Sequence, residues 1–476
     1  MSSVEPEPEK LYAAREPIFP RRVSGKFRTL KWWIMAVTLG IYYITPWIRW
    51  DRGPNLPDQA VLVDLANRRF YFFFIEIWPH EFYFVAGLLI MAGLGLFLFT
   101  AALGRVWCGY TCPQTVWTDL FILVERWIEG DRNARVRLWS APWTAQKIRL
   151  RTIKWTVWLL IAVATGGAWI FYFADAPTLA WQFVTFDAPF AAYATVALLT
   201  STTFVLGGLM REQVCIYMCP WPRIQAAMMD EQTITVAYRD WRGEPRGKHR
   251  KSAEASTLGD CIDCSACVNV CPTGIDIREG QQLGCITCAL CIDACDDVMG
   301  KIGKPRGLID YITLEDGERE REGGAPIPVW RRVLRPRIVL YFVLWAGIGV
   351  AMLGALMMRT DIAFSIEKVR NPVNVVLSDG SVRNAYELRL RNMTGFDRDF
   401  RLSVAADAPM ALELQGLDGL IVTVPPDATH RQRAYVTAPE DSPAAHGGLT
   451  PIDIVVEDAG TGRQARESTV FAGTGQ

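Results

Sequence analysis

The chain has 476 residues, of which 50% are hydrophobic and 21% are charged, and its formal net charge is zero. This length allows two to four domains. Several apolar runs of about 20 residues are long enough to cross a bilayer core as helices, which excludes an entirely soluble chain. The net charge indicates no partner, because it averages parts that never share one solvent, and we expect no nucleic acid among the partners.

The chain begins with a polar, basic segment, 1–30, in which we find no cleavable signal peptide, so the first apolar run is predicted to be a retained signal anchor. The sequence predicts an α-helical transmembrane bundle of about five helices, at 31–49, 82–103, 153–173, 188–209 and 338–358. The short segment from Phe70 to Ile77 carries Glu76 and is predicted to be interfacial.

Basic residues predict the orientation of the bundle. The loop 104–152 carries eight Lys or Arg residues, whereas 174–187 carries none. We therefore expect a multi-pass protein of the bacterial cytoplasmic membrane, in contact with lipid. The N-terminus, 104–152 and 210–337 would be cytoplasmic, and the tail after the last helix would be periplasmic.

The C-terminal tail alternates apolar and charged residues and contains turn signals such as Asp379-Gly380 and Pro425-Pro426. This pattern predicts an all-β domain with antiparallel strands at sandwich-like spacing. The predicted domains are, in chain order, an N-terminal segment 1–30, a membrane domain 31–237, an insert 238–313, a linker 314–337, a fifth transmembrane helix 338–358 and a β-sandwich 360–476.

Eight of the 12 cysteines lie in the insert, as two C-x2-C-x2-C-x3-C motifs whose members are 24 residues apart. This spacing is typical of two-cluster bacterial ferredoxins, in which the fourth cysteine of each motif ligates the other cluster. We therefore predict two [4Fe–4S] clusters. One would be held by Cys261, Cys264, Cys267 and Cys295, and the other by Cys285, Cys288, Cys291 and Cys271. A pair of zinc sites is disfavoured, because zinc ligands usually form two C-x2-C pairs with a longer stretch between them.

The other four cysteines form two C-x3-C-P motifs, Cys108 with Cys112 and Cys215 with Cys219, offset by 107 residues. Each motif follows a predicted spanning helix. Pro113 and Pro220 suit the first turn of a new helix, whose N-terminus favours thiolates. Thiolates suit monovalent copper, so a copper site is one reading. An iron–sulfur or zinc site made from all four thiols and a dithiol switch remain alternatives, and buried structural cysteines are disfavoured by the doubled motif.

These motifs, together with PRRVSGKFRTLKWW near the N-terminus and WCGYTCPQTVWTDLFILVERWIEGDR, resemble the FixG/CcoG/RdxA family of cytochrome oxidase accessory proteins. The resemblance covers essentially the whole chain, although the C-x3-C-P core is shared with quinol-linked relatives of the NapH and NosR type. It implies a role in assembling cbb3-type cytochrome c oxidase, by reduction of divalent copper. It also implies that the tail is an immunoglobulin-like domain, and that oxidase assembly factors or copper chaperones are partners.

We therefore expect an electron to pass from an unidentified cytoplasmic donor through the two clusters to copper at Cys108, Cys112, Cys215 and Cys219, which makes these four the catalytic residues. A redox-sensing or scaffold protein and a quinol-linked electron relay are the competing hypotheses. Oxidation of bound quinol would indicate the relay, and cluster loss with altered partner binding would indicate the sensor.

Overall fold

A computed structural model describes residues 17–53, 56–248, 258–359, 362–426 and 428–475. Part of the predicted N-terminal segment, 1–16, and part of the polar stretch before the insert, 249–257, lie outside the described residues. The chain divides into two compact units. One comprises Met1–Ile48 and Ala60–Val350, and the other comprises Arg49–Gln59 and Ala351–Gln476.

Helices dominate the first unit. They are α1 Lys26–Ile44, α2 Tyr83–Leu103, α3 Val106–Tyr110, α4 Pro113–Glu129, α5 Arg132–Ser140, α6 Ala145–Ile170, α7 Ala176–Thr185, α8 Phe190–Thr202, α9 Trp221–Met228, α10 Asp240–Gly243, α11 Ala266–Val270, α12 Leu290–Lys301, α13 Leu314–Arg321, α14 Val329–Val333 and α15 Pro336–Met357. Two π-helical segments, Thr203–Met210 and Val214–Met218, continue from α8 toward the second C-x3-C-P motif.

Four helices in the described part of the chain are long and apolar enough to cross a membrane. They are Tyr83–Leu103, Ala145–Ile170, Phe190–Met210 and Pro336–Met357. The first predicted span lies in α1, which is not in this group. It begins five residues before the predicted span, at Lys26, and its buried residues include Arg28 and Lys31. Basic residues that the sequence placed at the start of a span thus belong to a helix packed against protein.

Two small antiparallel sheets complete the first unit. The segment 61–77 folds as β1 Val61–Asp64, β2 Arg69–Phe72 and β3 Ile75–Ile77, so the aromatic stretch predicted to be interfacial is a β-hairpin. The second sheet pairs β4 Thr235–Tyr238 with β5 Ile309–Ile312. These two strands flank the insert, and their pairing brings its two ends together.

The second unit contains the predicted β-sandwich. Its strands are β6 Ile362–Lys368, β7 Val375–Val376, β8 Val382–Asn392, β9 Arg398–Ala405, β10 Ala411–Leu414, β11 Ile421–Val424, β12 Thr429–Ala438, β13 Leu449–Asp458 and β14 Gln464–Ala472, with the short helix α16 Pro443–His446 before β13. A five-stranded sheet runs β10-β12-β8-β6 with β7 paired to β8, and a four-stranded sheet runs β11-β9-β13-β14.

Alternation of buried and partly buried residues along β8 shows why the sequence forms this sandwich. Every second residue, from Val382 to Asn392, points inward. The inward side chains of the two sheets form one core, in which Tyr386, Phe400 and Phe471 are fully buried. The predicted all-β C-terminal domain is therefore confirmed.

Candidate functional site

The two cysteine motifs of the insert have the same backbone shape. The residues on either side of Cys264 and of Cys288 adopt positive φ angles: Asp263 at 54°, Ser265 at 52°, Thr287 at 55° and Ala289 at 59°. Each left-handed residue after the second cysteine is followed at once by a helix, α11 or α12. Left-handed and right-handed residues in succession form a concave nest of N–H groups that binds anions, including iron–sulfur centres. The loops therefore suit the anionic [4Fe–4S] clusters that the spacing predicts.

The thiols around Cys295 belong to the first motif, although Cys295 closes the second. Burial raises the pKa of the Cys295 thiol to about 12, and the neighbouring charges of Cys267, Cys261 and Cys264 raise it further. These four residues are the ones that the sequence assigns to one cluster. Cys295 is thus a neighbour of the three cysteines 28 to 34 positions before it in the chain.

The complementary group forms around Cys291. Burial raises the pKa of the Cys291 thiol well above its ordinary value, and the charges of Cys288, Cys271 and Cys285 add to the shift, with a smaller effect of Cys267 from the first motif. These are the other four predicted ligands. All eight thiols are free of disulfides. The ligand sets remain a prediction, and the neighbours of Cys291 and Cys295 are those that a crossed arrangement requires.

The two motifs differ in their exposure. Cys264 and the adjacent Asp263 are exposed, whereas the segment from Ile286 to Leu290 is buried throughout. The first motif is therefore the more accessible to solvent. The second motif faces the protein interior.

Helix α3, which carries Cys108 of the first C-x3-C-P motif, packs directly on the second cluster loop. Gly109 lies against the loop backbone so closely that a Cβ built on it would be 2.7 Å from the Ile286 carbonyl oxygen and 3.0 Å from the Cys288 Cα. Arg105, four residues before Gly109, donates hydrogen bonds to the carbonyls of Leu283 and Cys285 at the start of the same loop. The absence of a side chain at 109 is what permits this contact.

Further hydrogen bonds hold this contact from both sides. The Tyr110 hydroxyl donates to the Cys288 carbonyl at 3.2 Å, and the Tyr311 hydroxyl donates to the Thr287 carbonyl at 2.9 Å. Cys108 also packs with Cys288 and Cys291 in one apolar cluster. The insert and the first C-x3-C-P motif therefore form one continuous packed structure.

The start of α1 makes a second attachment to the insert. Asp293 in α12 accepts hydrogen bonds from the backbone N–H groups of Arg28, at 2.7 Å, and Phe27, at 3.3 Å. This carboxylate satisfies N–H groups that the first turn of a helix leaves without partners. Arg28 in turn forms a buried ion pair with Asp119 of α4, at 2.9 Å. The insert, α1 and α4 are thus fixed to one another.

The two C-x3-C-P motifs come together although 107 residues separate them. The Cys108 thiol donates to the Gln225 side chain, six residues after Cys219, at 3.2 Å. Gln114, two residues after Cys112, donates to the Arg211 carbonyl at 3.1 Å, four residues before Cys215. Each motif is therefore flanked by residues next to the other.

Electrostatics give the same grouping. Burial raises the pKa of the Cys215 thiol to about 12, and the nearby charges of Cys112, Cys108 and Cys219 raise it further. All four thiols are partly buried and free of disulfides. We call this group, Cys108, Cys112, Cys215 and Cys219, the four-thiol site.

Neither pair of cysteines lies on one continuous helix. Cys108 is in α3 and Cys112 immediately precedes α4, which starts at Pro113. Cys215 lies in a π-helical segment, and Cys219 follows it. A break in the helix therefore separates the two cysteines of each motif.

A buried ion network connects the helices that carry the motifs. Glu125 in α4 contacts Arg211 at 2.7 Å, Arg135 at 2.8 Å and Lys154 at 3.3 Å. Burial by itself would raise the pKa of Glu125, but these cations outweigh it and hold the pKa below its usual value. The charged carboxylate therefore ties α4, which follows the first motif, to the segment that precedes the second.

Three features that position the site were not found from the sequence. Gly109 is an inconspicuous residue inside a motif, and Asp293 reads as one acidic residue among several in the insert. The third feature is the matched backbone at Gly104 and Arg211, both at positive φ (62° and 49°) four residues before their motifs. The 107-residue offset of the two motifs also relates these two positions and could have revealed them.

Comparisons with known proteins agree with this architecture. Residues 84–131 match a family described as a 4Fe-4S binding domain, 210–314 match a 4Fe-4S dicluster domain, and 352–474 match an IG-like fold at the C-terminus of FixG. The C-terminal sandwich is therefore immunoglobulin-like.

Three relatives are similar over most of their length. Protein RdxB of Cereibacter sphaeroides is 64% identical over 100% of both chains. Protein RdxA of the same organism is 65% identical over 95% of this chain and 96% of its own. The nitrogen fixation protein FixG of Rhizobium meliloti is 56% identical over 90% of this chain and 88% of its own. With its 4Fe–4S domains, its apolar helices and its immunoglobulin-like tail, this chain belongs to the FixG/RdxA family of membrane-bound iron–sulfur redox proteins.

Proposed function

We propose that the chain reduces divalent copper to the monovalent ion during assembly of a cbb3-type cytochrome c oxidase. The observation that carries the proposal is the contact of α3 with the second cluster loop at Gly109, which places the four-thiol site next to the buried cluster motif. One electron converts each Cu²⁺ to Cu⁺, and a reduced [4Fe–4S] cluster supplies one electron at a time. The step releases no proton and needs no further co-reactant besides the donor that reduces the insert.

The direction of the path follows from the exposure of the two motifs. An electron from a soluble donor enters near exposed Cys264, crosses to the buried motif and leaves toward Cys108. Soft thiolates near the exit favour monovalent over divalent copper. They serve the ion either as its direct ligands or as ligands of a further centre that donates to it.

The orientation is part of the proposal. Basic residues in 104–152 and before the last helix support a cytoplasmic insert and four-thiol site, with the immunoglobulin-like domain in the periplasm. A cytoplasmic reductant would then supply the electrons. Copper chaperones or oxidase assembly factors would receive the product.

The test is cupric reduction by the full-length protein, reduced without oxygen and mixed with Cu²⁺ and a chelator specific for Cu⁺. Replacing all four thiols of the site with alanine, with the insert intact, should abolish Cu⁺ formation. The variant Met218→Leu is the matched control, because this exposed residue lies beside Cys219 and offers no thiol. Wild-type activity in the four-alanine variant would remove the four-thiol site from the reaction.

One observation favours a second candidate function, a quinol-linked electron relay. An apolar cavity of about 860 Å³ lies beside Tyr110 and Tyr311, the two residues that hydrogen-bond the second cluster loop. Its other walls include Phe27, Leu30, Phe99 and Trp107. A quinol bound there would lie next to a cluster motif. Reduction of the clusters by a quinol, with loss of the effect in Trp107→Ala, would support this function, and no reduction would exclude it.

A further inference from the structure

We propose that Cys108, Cys112, Cys215 and Cys219 together hold a third [4Fe–4S] cluster, shared between the two repeats of the membrane domain. A cubane cluster needs four cysteine thiolates. The match to a 4Fe-4S binding domain over 84–131 contains only Cys108 and Cys112, so the other two ligands must come from elsewhere in the fold. The cysteines of the second motif are the ones in position to supply them.

The contacts between the motifs are reciprocal and short. Residues next to the second motif bond residues of the first: Gln225 accepts from the Cys108 thiol at 3.2 Å, and the Arg211 carbonyl accepts from Gln114 at 3.1 Å. Thr115 donates to the Cys108 carbonyl at 2.6 Å and lines the same small cavity as Cys215. The first motif is therefore held between the residues that flank the second.

A single tetrahedral metal ion would require four closely spaced sulfurs. Zn–S bonds of about 2.3 Å place the four sulfurs of a tetrahedral site about 3.8 Å apart. Among the described residues, which include all 12 cysteines, no three Cys, His, Asp or Glu side chains are close enough to hold one ion. The same is true of the eight insert cysteines, whose spacing predicts cubanes. The four-thiol site therefore resembles the insert cysteines in forming no compact single-ion site among the described residues.

The surroundings suit an anionic cluster. Arg105, three residues before Cys108, brings a positive charge next to the site, where it donates hydrogen bonds to the carbonyls of Leu283 and Cys285. The 17-residue helix α4 begins at Pro113, directly after Cys112, and its positive N-terminal end is adjacent to that thiol. With a third cluster, all 12 cysteines of the chain are ligands and none is left over.

This inference concerns what occupies the four-thiol site and does not depend on copper as the electron acceptor. The experiment is iron and acid-labile sulfide analysis, with Mössbauer and EPR spectroscopy, of the full-length protein purified without oxygen. Wild type should contain about twelve irons per chain, whereas the insert alone accounts for about eight. Met218→Leu should retain the wild-type content.

Paired variants test whether the cluster is shared. Cys108→Ala with Cys112→Ala, and Cys215→Ala with Cys219→Ala, should each lose about four irons, and combining all four changes should remove no more. The spectra of the insert clusters should persist in every variant, which shows that the chain still folds.

Three outcomes would overturn the inference. The first is a wild type with only about eight irons. The second is a loss of iron in the four-alanine variant that equals the sum of the losses in the two paired variants. The third is copper or zinc bound at the four-thiol site of protein with an intact insert. Cupric reduction is measured separately. A chain with twelve irons that leaves Cu²⁺ unreduced refutes only the proposed function, and a chain with eight that reduces it refutes only the third cluster.

Discussion

Gly109→Ala tests the contact between the four-thiol site and the insert with a single methyl group. The new Cβ would lie 2.7 Å from the Ile286 carbonyl oxygen and 3.0 Å from the Cys288 Cα, whereas ordinary contacts begin at 3.4 Å. Helix α3 and the cluster loop must therefore separate by about 0.7 Å, the difference between 3.4 and 2.7 Å. Both obstructing atoms belong to the backbone, so no side-chain rotation relieves the overlap. Overpacking of this kind costs about 1–3 kcal/mol.

The assay separates reduction of the insert from delivery of its electrons. In Gly109→Ala the insert clusters should still form and accept electrons from dithionite, because all eight ligands remain. Electron transfer from the reduced protein to Cu²⁺ should slow, because displacement of α3 increases the distance between Cys108 and the buried motif. The unfolding temperature should fall with it. Gly93→Ala is the matched control, because a Cβ at that glycine of α2 meets nothing within 4 Å.

The refuting result is a Gly109→Ala protein that equals Gly93→Ala in both copper reduction and unfolding temperature. Such a protein would show that the helix does not lie on the loop as described. A fall in stability with unchanged transfer would retain the packing and reject the electron path through it.

Three further predictions follow from other contacts. Asp296 is close enough to Cys295 to raise the pKa of that thiol, so Asp296→Asn should raise the potential of the adjacent cluster by about 40 mV, equivalent to on the order of 1 kcal/mol. Potentiometric titration should show a smaller shift in cluster potential for Asp297→Asn, because the exposed Asp297 carboxylate is paired with Lys301. Glu125→Gln should lower the free energy of unfolding by about 3–5 kcal/mol, because buried Arg211 and Arg135 lose this counter-charge and Lys154 loses one of its two carboxylates, keeping Glu129. The pKa of Glu125 is lowered in the folded state, so its contribution to the free energy of unfolding is complete above the ordinary pKa of 4.5 and is lost as the pH falls through the folded-state pKa. The unfolding temperature of the wild type should therefore fall in acid through the loss of this contribution, whereas that of Glu125→Gln should not. Tyr386→Phe should cost about 1 kcal/mol, seen as a lower unfolding temperature of the β-sandwich, because its buried hydroxyl donates a hydrogen bond at 2.9 Å.

The features that could be predicted from the sequence are those that depend on residues close together in the chain. Cysteine spacing predicted the insert, because cubane ligation imposes fixed intervals on a loop followed by a helix. Alternation of Tyr386, Leu388 and Leu390 with charged residues predicted a strand with one buried face, because successive side chains of a strand point to opposite sides. Pro113 was predicted to open a helix, since its missing N–H costs nothing at that position, and α4 does begin there.

The features that escaped prediction depend on contacts between distant parts of the chain. Arg28 and Lys31 read as charges flanking a membrane span, yet both are buried against Asp119 of α4. No local pattern distinguishes a lysine that faces lipid headgroups from one that pairs with a carboxylate 88 residues away. The strand pairing of Phe70–Ile77 also escaped prediction, because consecutive aromatic residues mask the period of two that marks a β-hairpin.

The pairing of β4 with β5 has a consequence for the history and the engineering of this protein. Paired strands lie about 4.8 Å apart, so the chain leaves and rejoins the membrane domain at neighbouring points. A module with adjacent ends can be gained, lost or exchanged without moving the elements on either side. A foreign two-cluster ferredoxin grafted between Tyr238 and Ile309 would keep the register of the β4–β5 pair. It would need only an acidic side chain for the start of α1 and a loop flat enough to accept Gly109.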